Sequence, residues 1–151
     1  MITLTVFENQ GERFGETLTR MLRGVDVRVT RARAKADVAV VSPGYTGTQS
    51  AECSVLLAPD GAGARPIAAR SVITYGMSPR ATLTLSSIGE RSCVLAVQRE
   101  IVTARGDVVE EQELEVPALG GTYTTLAVAG GRILLGLLPR SVTYISSNTR
   151  L

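Results

Sequence analysis

Two short segments carry residue types that could do chemistry. Asn9-Gln10-Gly11-Glu12-Arg13-Phe14-Gly15 follows an apolar alternation and precedes a helical pattern, and Pro43-Gly44-Tyr45-Thr46-Gly47-Thr48 follows a nearly continuous apolar run. In the first, the free N–H groups of a helix start could hold an anion. Asn9, Gln10, Gly11, Glu12 and Arg13 are therefore candidate ligand contacts, and the plain alternative is a connector. In the second, Tyr45 could stack on a ligand, although Gly-Pro-Thr clusters mostly just turn a chain. Much else is excluded. The 151 residues contain no histidine, which removes Ser-His and Cys-His catalysis and the usual proton shuttle near neutral pH. Cys53 and Cys93 lack metal-ligand spacing and read as buried free thiols. We expect no metal, no cofactor and no assigned catalytic residue.

The elements that must position these segments can be read from periodicity. Ile2, Leu4 and Val6 alternate with threonines as a strand, and Leu18, Met21 and Leu22 recur at helical spacing. Gly24 stops that helix, and Val25, Val27 and Val29 alternate as a second strand. The run Ala36 to Val41 suits a strand covered on both faces, and Ser54 to Leu57 and Ser71 to Tyr75 are further short strands. A buried sheet of about five strands results, near the usual size.

After Gly76 the chain alternates again. Val94 to Val102 and Val108 to Val116 flank Ala104-Arg105-Gly106-Asp107 as a hairpin within an antiparallel meander. Glu111, Glu113 and Glu115 share one strand face, read as solvated and resistant to edge pairing. Leu126 to Leu137 suits a mostly buried helix that Gly130-Gly131 weakens and Pro139 ends, and Val142 to Ser146 is positioned to add a last strand. The fold class expected is α/β: a Rossmann-like mostly parallel sheet with helices, plus a C-terminal antiparallel β-meander and a closing helix. One domain spans 1–151, its parallel part about 1–77, its extension about 81–117, and its helix and tail about 121–151.

Bulk composition agrees with a folded domain: 44% hydrophobic and 20% charged residues at net charge +2. All basic residues but Lys35 are arginines. The run Arg28, Arg31, Arg33, Lys35 reads as a solvated face or a phosphate-binding patch. It lacks the interleaved aromatics of a single-stranded nucleic-acid platform, so no nucleic-acid partner is expected. Leu126 to Leu138 is too short to span a bilayer and is broken by Arg132, so no membrane partner is expected. The N-terminus enters a strand without a basic leader, which points to a cytoplasmic protein.

The order of these pieces resembles the central, ATP-binding domain of the Mur ligases, which build the peptide of bacterial peptidoglycan precursors. Val72-Ile73-Thr74-Tyr75-Gly76-Met77-Ser78-Pro79-Arg80-Ala81 is similar to the family's strand ending in Tyr-Gly and leading into an antiparallel extension. Val116-Pro117-Ala118-Leu119-Gly120-Gly121-Thr122-Tyr123, with Leu126 to Ala129 and Leu135-Gly136, is similar to its Pro-Gly turn and Ala-rich helix closing on Leu-Gly. At this length we expect the central domain alone, without the domains that flank it in the family.

The chain departs from the family where ATP would bind. The family's Gly-Thr-Asn-Gly-Lys-Thr-Thr loop would fall on this first connection. In that register Gly11 keeps a glycine, Glu12 stands where the lysine belongs, and Arg13 replaces the threonine that helps bind magnesium. A carboxylate repels triphosphate. The family's Asp-His pair is replaced by Ser42 to Gly47, and Lys35 is too far upstream to supply its metal-associated carbamate. The resemblance thus implies a degenerate P-loop in a catalytically inactive Mur-ligase-like domain with a binding or scaffold role, related to the bacterial cell envelope. A protein partner or a homo-oligomer would be its company, and its ligand is unknown. The alternative is a small α/β enzyme with an unrecognised site at the strand carboxyl ends, using Glu12, Arg13, Tyr45 or Asp60.

Overall fold

In the computed structural model, which describes residues 1–61 and 65–142, the threonine-interrupted apolar alternation near the N-terminus forms strand β1 (Ile2–Phe7). The chain continues through α1 (Phe14–Met21), β2 (Val27–Arg31), β3 (Lys35–Val41), β4 (Ala51–Pro59) and β5 (Ile67–Tyr75). It then forms β6 (Leu83–Ile88), β7 (Ser92–Val97), β8 (Ile101–Val102), β9 (Val108–Val109), β10 (Gln112–Pro117) and α2 (Thr122–Leu134).

The parallel part and the antiparallel extension are one eight-stranded sheet, ordered β10-β7-β6-β5-β4-β3-β1-β2. Strands β1 to β6 pair in parallel, and β7 and β10 pair antiparallel at the far side. Only Tyr75, the last residue of β5, meets β6, at its first residue Leu83. The antiparallel half therefore runs on past the carboxyl ends of the parallel strands.

The expected long hairpin is divided. Residues 98–100 and 110–111 interrupt its arms, so β7 pairs with β10 in the main sheet while β8 and β9 close a separate two-stranded ribbon. On β10, Leu114 and Val116 enter the core, Glu115 is exposed and Glu113 half-buried; Glu111 precedes the strand. Of the expected last strand only Val142 is described: Ser141 before it makes an isolated bridge to Leu114, and Val142 N donates to Glu113 O at 2.9 Å. Residues 143–146 of that strand lie outside the described residues.

Both helices cover the same face. Phe14 and Leu18 of α1 join Leu126, Val128, Ile133 and Leu134 of α2 in one core with Leu4, Val40, Leu57 and Leu83 from the strands. Almost every α2 position from Thr125 to Leu134 is buried, which fits a helix apolar on all sides. Gly130 and Gly131 do not break it. A Cβ on Gly130 would stand 2.9 Å from both Leu57 Cδ2 and Leu83 Cδ1, so the bare backbone lets the helix settle onto the sheet. Close packing thus outweighs a propensity cost of about 1 kcal/mol per glycine.

Arginines from elsewhere close both helix ends. The Arg132 guanidinium donates to Met21 O at the end of α1, and Arg105 Nε donates to Leu135 O at 2.7 Å at the end of α2. Each places a cation at the negative end of a helix dipole.

The opposite face carries no helix among the described residues. A smaller cluster, Phe7, Ala39, Val41, Leu56 and Ala58, is covered there by the β3–β4 connection through Tyr45. That cover explains why Val38 to Val41 and Val55 to Ala58 are buried without interruption. Of the two thiols expected to be buried, Cys93 is and Cys53 is half-buried near the start of β4. No helix among the described residues is long and apolar enough to cross a membrane.

Replacing Gly130 with leucine should test the close packing of α2. Overpacking against Leu57 and Leu83 should destabilise the fold by roughly 1–3 kcal/mol. Chemical denaturation would show this as a lower midpoint with an unchanged slope.

Candidate functional site

After β1 the chain passes to β2 on one side of it, and β3 then lies on the other. In the order β2-β1-β3-β4-β5 the carboxyl ends of β1 and β3 mark the topological switch point, where open α/β sheets place their ligands. The connections leaving those strands contain both candidate segments.

Glu8, the first residue after β1, turns inward. Its Oε1 accepts from Phe14 N at 2.8 Å and its Oε2 from Gly15 N at 3.1 Å. Arg31 Nη2 lies 3.2 Å from the same Oε2, and the Glu8 side chain is only 3% exposed. Arg13 stands at the cap position before helix α1, held in the left-handed region at φ 60°, without a capping hydrogen bond from its own side chain. Glu8 takes the cap's place from six residues upstream. The expectation that these N–H groups stand free for an anion is corrected: Phe14 N and Gly15 N are already occupied, by a carboxylate.

Glu12 makes the second closure. Its Oε1 accepts from Asn9 N and from Ser42 Oγ, the latter at 2.7 Å, and its Oε2 from Gly44 N at 3.3 Å. Asn9 ties the same two loops, donating from Nδ2 to Gly44 O at 2.6 Å and accepting at Oδ1 from Thr46 N and Thr46 Oγ1, both at 3.2 Å. The crevice at the switch point is thus bridged by the chain's own polar groups.

Two glycines make room for the carboxylates. A Cβ on Gly15 would stand 2.5 Å from Glu8 Oε2, and one on Gly44 2.9 Å from Glu12 Oε2. Neither carboxylate could sit as it does beside a larger residue.

The remaining candidates do not join this network. Gln10 and Gly11 are exposed at the tip of the first loop. Arg13 Nε donates outward to Glu16 at 2.9 Å, and that bond together with the arginine's charge holds the Glu16 carboxyl below its ordinary range. The Tyr45 ring packs on Phe7 with centroids 5.8 Å apart, and the Arg65 guanidinium lies over it at 5.5 Å. A Cβ on Gly47 would collide with the same ring. Tyr45 therefore serves as the cover of the second core cluster, not as a presented stacking surface.

The four residues of the enzyme alternative do not form a paired constellation. Glu12 is bonded to Ser42 and Gly44, Arg13 to Glu16, and Tyr45 is packed on Phe7, while Asp60 sits after β4 against Gly76. Tyr75 lies beneath the site and donates to Val41 O at 2.7 Å. Burial, with the Glu12 charge added, pushes its hydroxyl far above its ordinary range and removes it from proton transfer near neutral pH. Burial likewise pushes the Cys53 thiol up, which makes it a poor nucleophile. Among the described residues, no three His, Cys, Asp or Glu side chains converge as a metal would require.

Sequence reasoning missed the part played by Glu8, Ser42 and Arg31. A usable signal existed for the first: an acidic residue directly after a buried strand, with a glycine seven positions on. The basic run does not form one patch. Arg28, opposite Thr3, and Arg31, opposite Val6, lie on opposite faces of β2, and Arg33 and Lys35 line the Arg28 side.

Compared with known proteins, the chain matches no family model, no curated protein and no solved structure.

Glu8 and Gly15 give a paired test. Gly15→Ala should destabilise the native chain because its methyl meets the seated carboxylate, but should be neutral or stabilising in a Glu8→Ala background. Glu8→Ala alone should cost about 2 kcal/mol, from a lost cap and an unpaired Arg31. The loop closure can be tested by a double-mutant cycle of Glu12→Ala with Ser42→Ala. A coupling of about 1 kcal/mol is expected for partners in one network, and additive losses would show the loops to be independent.

Proposed function

We propose that this chain is a catalytically inactive Mur-ligase-like domain with a binding or scaffold role. The observation that carries the reading is the occupation of the switch point: Glu8 holds the first N–H groups of α1, and Glu12 holds Ser42 and Gly44. Where a phosphate-binding loop presents N–H groups and a lysine to a nucleotide, two carboxylates repel one.

Several features support the family framework. The sheet is read as Rossmann-like, with a β1–loop–α1 unit at the phosphate-binding position. Strand β5 ends on Tyr75, with Gly76 next, and leads into an antiparallel extension, and α2 is followed by Leu135-Gly136. The link to the bacterial cell envelope, the cytoplasmic location and the company of a protein partner or a second copy rest on the resemblance alone.

The decisive experiment combines a turnover assay with a site-resolved one. With Mg-ATP, phosphate release should stay at the level of a protein-free blank. The backbone amide resonances of Asn9 to Glu12 and Gly44 should not move. Turnover, or saturable shifts at those amides, would overturn the proposal.

A further inference from the structure

On the helix-bearing face, at the open edge of the sheet, a cleft of about 490 Å³ separates α1 from β2. No connection among the described residues crosses it, because the three residues 32–34 join β2 directly to β3. Val6 and Val29 are among its apolar lining residues, and Arg20, Arg23 and Arg31 line it as well.

The charge in this cleft is not balanced. Arg31 is paired with Glu8, and Glu16, the other acid lining the cleft, is paired with Arg13 outside it. Neither Arg20 nor Arg23 makes an ion pair among the described residues, although the Arg20 charge acts on Glu16 at longer range. They are three positions apart around the end of α1, where Arg23 N donates to Arg20 O at 3.3 Å, so their side chains start from neighbouring places. Nor are they needed to close the helix, since Arg132 already serves the Met21 carbonyl. With Arg13 counted, four guanidiniums face the carboxylates of Glu8 and Glu16, which leaves the open cleft an excess of two positive charges.

We infer that this cleft is a binding site for a small phosphorylated molecule, with Arg20 and Arg23 holding a phosphoryl dianion and Arg31 completing the cradle. Guanidinium forks match the oxygen geometry of phosphate, and its two negative charges equal that excess. A single carboxylate would leave half of it unmet. The cleft shares Glu8 and Gly15 with the switch-point network, but the Glu8 carboxylate is already held there by Phe14 N, Gly15 N and Arg31, and the inference does not depend on the family reading.

Inorganic pyrophosphate is a suitable probe, titrated at low salt and followed by calorimetry and backbone amide shifts. Saturable binding is expected, with the largest shifts at Thr19 to Arg23 and Val29 to Arg31. Arg20→Gln/Arg23→Gln should weaken binding at least tenfold, while Arg28→Gln/Arg33→Gln, with the same charge change on the other face of β2, should alter it less than twofold. All four arginines are exposed, so the melting temperature of each variant should match the parent and confirm its fold. Absent binding, equal weakening by the two double variants, or shifts mapping elsewhere would each overturn the inference.

Discussion

A buried carboxylate at the start of α1 holds this structure's ligand-facing end together. Burying an ionised group is costly unless it is fully bonded. Glu8 meets that condition with two backbone N–H groups and one guanidinium. The same three contacts fix where α1 begins, draw β2 toward β1 through Arg31, and require a glycine at position 15. Glu12 repeats the device between the two loops and requires a glycine at 44. An end of the sheet that could have been an open crevice is therefore a closed polar network. Its groups satisfy one another and have little left for a ligand.

The rest of the fold follows from a sheet whose helices, among the described residues, lie on one face. Core volume must come from α1, α2 and the strands between them, so α2 is apolar almost all round and sits close through Gly130. Helix ends in so small a layer lie within reach of neighbouring elements, and arginines from α2 and from the β8–β9 turn close them. The other face needs only the β3–β4 connection, with Tyr45 over Phe7, because the strand residues beyond that cover are mainly small, polar or charged. Antiparallel pairing then extends the sheet past the parallel strand ends, where no further helices are required.

Much of this is legible in the sequence. Period-two alternation identified β1, β2 and the extension; uninterrupted apolar runs identified β3 and β4; helical spacing identified α1 and α2. Each depends on local burial, which leaves its mark at fixed intervals along a chain. The same reasoning placed Glu12 and Tyr45 together at the strand carboxyl ends, because parallel strands end on one side of the sheet. It read Gly130-Gly131 as a weakness because propensity is local, whereas the space between Leu57 and Leu83 that rewards a glycine is not.

By itself, the sequence determined the α/β class, the order of elements, the want of histidine chemistry and the lack of a phosphate-binding lysine after β1. These are matters of residue type and spacing. Only the tertiary structure decided what fills the position instead. Glu8 bonds to residues six, seven and twenty-three places away, and Glu12 to residues thirty and thirty-two places away. A carboxylate's partners over such separations are chosen by strand order and register, which periodicity does not encode. The split of the basic run has a local origin instead: Arg28 and Arg31 stand an odd number of residues apart on β2, and alternation along a strand sends such residues to opposite faces.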